Sequence, residues 1–311
     1  MNKRKLGNTE LLVSEIGFGS WQLGNTKDWK GSTDQEAIEL VHKAIEMGCN
    51  FFDTAPNYAG GKSEELLGKA LKGKRDEVVI STKFGHFADG TTDYDPSLLR
   101  NSVENSLRLL QTDYVDSVLL HNPPFEMLND NSKHFEILEE LKKEGKIKAY
   151  GASVDSSKEM LELINTTDSK VIEVMFNIFY QEPKKAFELA EENGVGLIVK
   201  VPLDSGWLTG KYDKNSSFKG IRSRWSPEVI RRRGELVEEI KDIKDEQTSM
   251  VHEALRFILG FSAVSTVIPG IRNMSQLESN LAATNKRMDS KQIKRYEDFY
   301  ERHLAGNDLP W

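Results

Sequence analysis

Phe51-Phe52-Asp53-Thr54-Ala55-Pro56-Asn57-Tyr58 is an apolar run that ends on an acid and passes, through a proline-containing turn, to a phenol. It reads as a strand whose last side chain is polar. The same rhythm recurs along the chain. Short apolar runs at 16–20, 50–54, 78–83, 115–121, 149–154, 172–177, 196–201 and 266–269 alternate with helical stretches of ten or more residues. Residues 34–47 set Ala37, Val41, Ala44 and Ile45 on one stripe, and Gly48 supplies a left-handed stop. Ser63 begins the next helix, with Glu64 and Glu65 in its first turn where negative charge suits the helix dipole. Asp95-Pro96 caps and starts a third, with Leu99, Val103, Leu107 and Leu110 on its inner face. Phe135, Leu138 and Leu141 mark a fourth that stops at Gly145, and Ser156 to Glu159 fits a capping box. Ser226-Pro227 is again a cap followed by proline, and 183–192 and 253–259 also read as helical.

Eight such strands alternating with helices over 311 residues predict an α/β fold of the (β/α)8 TIM-barrel type, one domain spanning 1–311. A short β-hairpin around Gly7-Asn8-Thr9 precedes it. A doubly wound open sheet would show a G-x-G-x-x-G turn after the first strand; Gly17-Phe18-Gly19-Ser20-Trp21-Gln22 lacks the third glycine.

Composition narrows the function classes. With 38% hydrophobic and 29% charged residues the chain is that of a globular protein, and no apolar run is long enough for a membrane helix. Met1 to Gly7 is basic but leads into Asn8-Thr9-Glu10 rather than an apolar core, so no secretory signal is expected and a cytoplasmic location follows. A net charge of -7 argues against a nucleic-acid surface. Arg231-Arg232-Arg233 reads as a solvated helix face paired with Glu235, Glu238 and Glu239. The single cysteine, Cys49, excludes an internal disulfide and a thiolate metal cluster, and beside Phe51 it reads as core.

In a TIM barrel the active site lies at the C-terminal ends of the strands. Inspection there returns Ser20, Trp21, Asp53, Lys83, His121, Ser153, Asn177, Lys200 and Gly270. Lys83 closes an apolar strand, so its charge needs a partner, and Asp53 is the natural one. A tyrosine beside that lysine would feel a positive charge, which favours the phenolate and lowers a pKa that starts near 10. Tyr58 would then be a usable proton donor. His121 is placed to hydrogen-bond a carbonyl oxygen and orient it towards Tyr58, and polarising that oxygen makes its carbon a better hydride acceptor. Each residue alone has an ordinary structural explanation; their joint occurrence at the ends of three successive strands does not.

Asp53-Thr54-Ala55 with Tyr58, then Gly61-x-Ser63-Glu64-x-x-Leu67-Gly68-x-Ala70-Leu71, Ser81-Thr82-Lys83 and Leu119-Leu120-His121, resemble the aldo-keto reductase superfamily. The resemblance runs from the hairpin, through Gly17-Phe18-Gly19-Ser20-Trp21, to Ile268-Pro269-Gly270. It implies a nicotinamide-dependent oxidoreductase that reduces aldehydes or ketones, with Tyr58 as acid, Lys83 and Asp53 as its tuning pair, and His121 as orienter. It implies cofactor contacts from Ser20, Trp21, Asp53, Ser153, Asn177, Pro202 and Leu203. Glu173 stands where the family has a glutamine for the nicotinamide carboxamide, Val154 stands where it has an asparagine, and Lys200 replaces an aromatic residue. Lys200 is expected either to approach a pyrophosphate or to pair with Glu173.

Pro269-Gly270-Ile271-Arg272 leads into a helix starting near Asn273 and carrying Gln276 and Asn280. Backbone N–H groups at a helix start bind phosphate, and an arginine adds a bidentate partner. The resemblance gives this segment to a ribose 2'-phosphate, so NADP is the expected cofactor; the alternative is a pairing of Arg272 with Glu278. The loop 203–225 is expected to fold over the pyrophosphate. Trp21, Trp29, Tyr58, Phe87 and Leu309-Pro310-Trp311 are candidates for an apolar mouth that receives a small carbonyl or alcohol substrate. Two further readings stay open at this level. One is a cofactor-binding sensor or regulatory subunit with little turnover, and the other is a barrel enzyme using Lys83 as a Schiff-base amine.

Overall fold

The computed structural model describes residues 1–27 and 33–310. A hairpin of β1 (Lys3–Lys5) and β2 (Leu12–Ser14) comes first. Eight parallel strands follow in sequential order: β3 (Phe18–Gly19), β4 (Phe51–Asp53), β5 (Val79–Phe84), β6 (Val115–His121), β7 (Ile147–Val154), β8 (Val171–Met175), β9 (Gly196–Lys200) and β10 (Val264–Val267). Parallel bridges from Ile16 to Val267 and from Gly19 to Gly270 join the first strand to the last, which closes the barrel.

The helices are α1 (Asp34–Glu46), α2 (Lys62–Ala70), α3 (Pro96–Leu110), α4 (Lys133–Lys143), α5 (Ser157–Thr166), α6 (Phe187–Glu192), α7 (Pro227–Ile243), α8 (Met250–Leu259), α9 (Met274–Ala282) and α10 (Ser290–His303). The expected caps form at Asp95, Ser156 and Ser226, whose side chains accept backbone N–H groups of the first turn.

Strand alternation sorts the side chains. Phe52, Ile80, Val118 and Leu120 face the helices, while Phe51, Val79, Leu119 and Ile198 join Leu6, Leu11 and Val13 of the hairpin in a separate apolar cluster inside the barrel. The hairpin is thus a plug for the N-terminal end. Stepping two residues along each strand from this inner layer reaches Asp53 from Phe51, His121 from Leu119, Glu173 from Val171 and Lys200 from Ile198. The pleat therefore delivers the polar residues to the opposite end.

Several details differ from the sequence reading. β10 lies at Val264–Val267 rather than 266–269, because Pro269 has no N–H to extend a ladder. Ser63 does not cap: α2 starts one residue earlier after Gly61 (φ 87°), and the Ser63 hydroxyl donates to the Ser20 carbonyl. Glu64 and Glu65 stand in the first turn of α2, and Glu64 is fully buried there, accepting from Thr82 Oγ1 at 2.6 Å. The helix α10 was not anticipated. The Arg231–Arg233 run is not a uniform solvated face. Arg233 is 1% exposed and paired with the buried Asp204, Arg232 donates to the His303 and Asn307 carbonyls, and among the described residues no ion pair joins the run to Glu235, Glu238 or Glu239. One turn of helix moves a side chain through a full circle, so three consecutive arginines cannot share one face. Cys49 is buried, and burial pushes its thiol up to about 12. Among the described residues no helix is long and apolar enough to cross a membrane.

Candidate active site

The centre of the site is the Lys83 ammonium, itself 1% exposed. Its Nζ lies 2.5 Å from Asp53 Oδ1, 3.1 Å from the Thr54 carbonyl oxygen, 3.3 Å from Glu173 Oε2 and 3.4 Å from Tyr58 Oη. β4 and β5 are adjacent, with Asp53 opposite Ser81, so Lys83 reaches back across the pair to find its acid. Tyr58 opens the turn Tyr58–Gly61, where Ala59 and Gly60 both take positive φ and swing the phenol over the barrel mouth. His121 ends β6 with its ring edge-on to Tyr58, centroids 6.1 Å apart at 80°.

The lysine's charge state is clear. Burial alone would lower its proton affinity, but Asp53 and Glu173 outweigh it and hold Lys83 protonated far above the ordinary range. That removes the free amine a Schiff-base mechanism needs. Tyr58 departs from the expectation of a lowered pKa: burial pushes it well up, Lys83 pulls it down by less, and Asp53 and Glu173 oppose Lys83. The phenol is a protonated group in the free protein. His121 is driven well below its usual value by burial and by the nearby Lys83, His86 and Lys200, so its imidazole is neutral, and Nδ1 is buried without a hydrogen-bond partner.

Two residues near His121 escaped the sequence reading. The His86 ring lies 4.5 Å from that of His121, and its Nε2 is 3.0 Å from Tyr94 Oη; Tyr94 in turn donates to the His121 carbonyl. Asn122, held at φ 49°, accepts from Lys200 at 2.6 Å. Neither ends an apolar run in a way that strand-end inspection detects.

Lys200 lines the cleft and, among the described residues, forms no ion pair with Glu173. It donates to Ser153 Oγ at 2.8 Å and pairs with Asp155 at 3.0 Å, while Glu173 pairs with Lys83. Ser153 is fully buried and donates to Glu173 Oε1 at 2.9 Å. Beyond Lys200 the chain enters a strained turn: Val201 sits at φ 53°, a region costly for a β-branched residue. Asn177 holds that turn through Nδ2 to the Val201 carbonyl at 3.0 Å, and its Oδ1 accepts from Phe179 and Tyr180. Asn177 lies beyond the end of β8 and outside the cleft wall.

A cleft of about 420 Å³ opens above these groups. Of the expected residues, Trp21, Asp53, Tyr58, His121, Pro202, Leu203, Gly270, Arg272 and Gln276 line it; Lys83, Ser20, Ser153, Asn177 and Asn280 do not. Ser20 Oγ donates to the Asp53 carbonyl at 2.5 Å, and Asn280 is buried with Nδ2 unpaired. Phe87 packs on Phe84 and Leu309 on the core, while Trp29 and Trp311 lie outside the described residues.

The cleft wall carries four cationic side chains, Lys200, Lys211, Arg222 and Arg272, a lining suited to an anionic ligand. At its outer end stand Lys211, Arg222 and Arg272, and the buried Nε of Arg222 has no partner. Arg272 makes no ion pair among the described residues, with Glu278 or otherwise, and Asn273 caps α9 by accepting from Gln276 N at 2.9 Å. A Cβ on Gly270 would lie 2.4 Å from the end of the Gln22 side chain, which would have to move aside. At the inner end Glu173 Oε2 accepts no hydrogen bond, and the Lys83 ammonium lies 3.3 Å from it.

Comparison with known proteins gives the chain's relatives in sequence and in fold. The model of the Aldo/keto reductase family matches residues 15–301. The uncharacterized oxidoreductase YqkF of Bacillus subtilis is 31% identical over 98% of this chain and 100% of its own length. The NADH-specific methylglyoxal reductase of Escherichia coli is 29% identical over 92% of this chain and 94% of its own. The holo form of an aldo-keto reductase from Bacillus halodurans superposes with a TM-score of 0.82 at 28% identity, covering 96% of both chains. Matched over nearly its whole length in sequence and in fold, the chain belongs to the aldo/keto reductase family, nicotinamide-dependent oxidoreductases of carbonyl compounds.

Proposed function

We propose that this protein is an NADPH-dependent reductase of aldehydes or ketones in which Tyr58 is the general acid. The observation that carries the reading is the convergence of Asp53, Tyr58, Lys83 and His121 at the inner end of one cleft. The bound dinucleotide supplies a hydride to the carbonyl carbon. The protein's own groups do the rest. Tyr58 stays protonated in the resting state and gives its proton to the substrate oxygen as negative charge develops there. Lys83, 3.4 Å away and permanently charged, stabilises the phenolate left behind. His121, neutral at physiological pH, offers a hydrogen bond that fixes the oxygen without competing as an acid.

Cofactor contacts are assigned to Ser20, Trp21, Asp53, Ser153, Asn177, Pro202, Leu203, Gly270, Arg272, Gln276 and Asn280. The unpaired guanidinium of Arg272 beside the start of α9 supports a 2'-phosphate, hence NADP. A cytoplasmic location belongs to the same reading, supported by the lone buried thiol.

The test is a fluorescence titration with NADPH and NADH, followed by a carbonyl panel monitored by cofactor oxidation. Tighter binding of NADPH is expected, with the preference lost in Arg272→Ala. Tyr58→Phe should bind the cofactor normally and lose roughly 10²–10⁴ of the reduction rate. Cofactor binding absent at millimolar concentration, or full turnover in Tyr58→Phe, would overturn the reading.

A further inference from the structure

In the barrel mouth the catalytic ammonium lies between two buried acids that also face each other, and burial together with the Glu173 charge pushes the Asp53 carboxyl well above its ordinary value. Asp53 Oδ1 is 2.5 Å from Lys83 Nζ and Glu173 Oε2 is 3.3 Å from it, on strands that lie on different sides of β5. Glu173 is 2% exposed, and its other oxygen accepts from Ser153, which accepts from Lys200. A chain of polar contacts thus runs from Lys200 through Ser153 and Glu173 to Lys83 and on to Tyr58. Burying a second carboxylate here is costly unless it is compensated, and Lys200 is the compensating charge. Lys83, Asp53 and Glu173 sit in a dry environment where a neighbour counts for far more than at the surface, while Lys200 stands part-exposed on the cleft wall.

We propose that Glu173 is a positioning residue for proton transfer: it draws the Lys83 ammonium away from Tyr58, while Lys200, acting through Ser153, sets how strongly it does so. The proposal rests on Tyr58 being the proton donor. The three N–H groups of the Lys83 ammonium are donated to Asp53, the Thr54 carbonyl and Tyr58, and Glu173 acts on it through its charge, 3.3 Å away. The hydrogen bond to Tyr58, at 3.4 Å, is the longest of the three, so the phenol receives the weakest of them. Glu173 thereby makes the phenol a more reluctant acid and its phenolate a stronger base, which favours taking a proton from an alcohol. The charged and titratable groups that face this assembly are Asp53 on β4, His86 after β5, His121 on β6, Asp155 after β7, Lys200 on β9 and Glu64 on α2. Removal of Glu173 and removal of Lys200 should move Tyr58 in opposite directions. Burial would raise the Glu173 carboxyl, but Lys83 and Lys200 outweigh burial and keep it ionised.

The test uses Glu173→Gln, which keeps the shape, and Lys200→Met, which removes the compensating charge. The phenolate absorbance of each is compared with the same protein carrying Tyr58→Phe, so that the difference isolates Tyr58; the pH profile of kcat/KM for alcohol oxidation is read in parallel. Glu173→Gln should lower both midpoints by about one unit, the effect of a single nearby charge. Lys200→Met should raise them. Unmoved midpoints, or shifts of the same sign in the two variants, would overturn the proposal. Should Glu173→Gln fail to fold, Lys200→Met decides alone, with an upward shift supporting and no shift opposing. Absence of any turnover by the wild type would instead overturn the reductase reading, and the absorbance titration would still decide this one.

Discussion

At the scale of the residue, the site works by burial as much as by charge. Sequence reasoning placed Asp53, Lys83 and Tyr58 together, yet it gave Tyr58 the wrong direction of shift, because a residue list shows the neighbouring ammonium and not the missing water. Burial and two carboxylates outweigh Lys83, so Tyr58 is stored as an acid. His121 follows the same logic with opposite chemistry, since burial and three nearby basic groups disfavour its charged form. Its pKa in the folded protein lies well below the ordinary value near 6.5, so its protonation belongs to acidic solution. The kcat/KM for carbonyl reduction should therefore show no inflection from His121 between about pH 6 and 8. A step near 6.5 in the wild type that vanished in His121→Gln would show a histidine titrating freely and refute this account.

At the scale of the element, strand ends were legible and the partners of charged residues were not. The pleat's period of two makes Asp53, Lys83, His121 and Ser153 inward-facing wherever the strand is placed correctly, so their convergence followed from the barrel alone. The pairing of Glu173 with Lys83 needed the closed geometry, because β5 and β8 are not neighbours. Helix α10 was missed since 290–303 carries its apolar residues, Tyr296, Phe299 and Tyr300, among many charges. Arg233 is the strongest case: a run of arginines reads as surface, and only the fold reveals the buried Asp204 on the loop after β9. That loop is held by an aromatic cluster of Trp207, Tyr212, Phe218 and Trp225, with Arg233 5.1 Å above the Trp225 ring and donating to the Pro310 carbonyl at 2.8 Å. Arg233→Met would leave Asp204 buried and uncompensated, at a cost of about 3–5 kcal/mol. Because Leu203, Ser205, Lys211 and Arg222 of this loop line the cleft, dinucleotide affinity should fall more than kcat. Urea unfolding and cofactor titration measure the two effects, and Asp204→Asn in the same chain should recover part of the stability. An unchanged unfolding midpoint in Arg233→Met would show that the pair is dispensable.

At the scale of the whole molecule, the barrel separates stability from chemistry by its two ends. The mouth carries strained backbone, paired charges and an open cleft, whereas the N-terminal end is a sealed plug. Arg4 on β1 ties that plug to the last barrel segment, donating to the carbonyls of Leu259, Phe261 and Val264 and pairing with Glu15 at 2.7 Å. Arg287 holds the same Glu15 oxygen from the other side. Arg4→Met strands three acceptors and half of an ion-paired network, so a loss of about 2–4 kcal/mol in urea unfolding at neutral pH is expected. The kcat/KM per folded molecule should stay unchanged, because no Arg4 contact among the described residues reaches the mouth. The pH dependence gives a second check. Burial tends to raise Glu15, but Arg287 and Arg4 outweigh it and hold its carboxyl below the ordinary value. A depressed carboxyl contributes stability that is complete above its unfolded pKa, near 4.3, and is lost as pH falls through its folded one. The gap in stability between the wild type and Arg4→Met should thus be widest at neutral pH and narrow below about pH 4, where Glu15 takes up a proton in both. A gap that stayed constant into acid would place the contribution of Arg4 in its three carbonyl contacts and none of it in the ion pair.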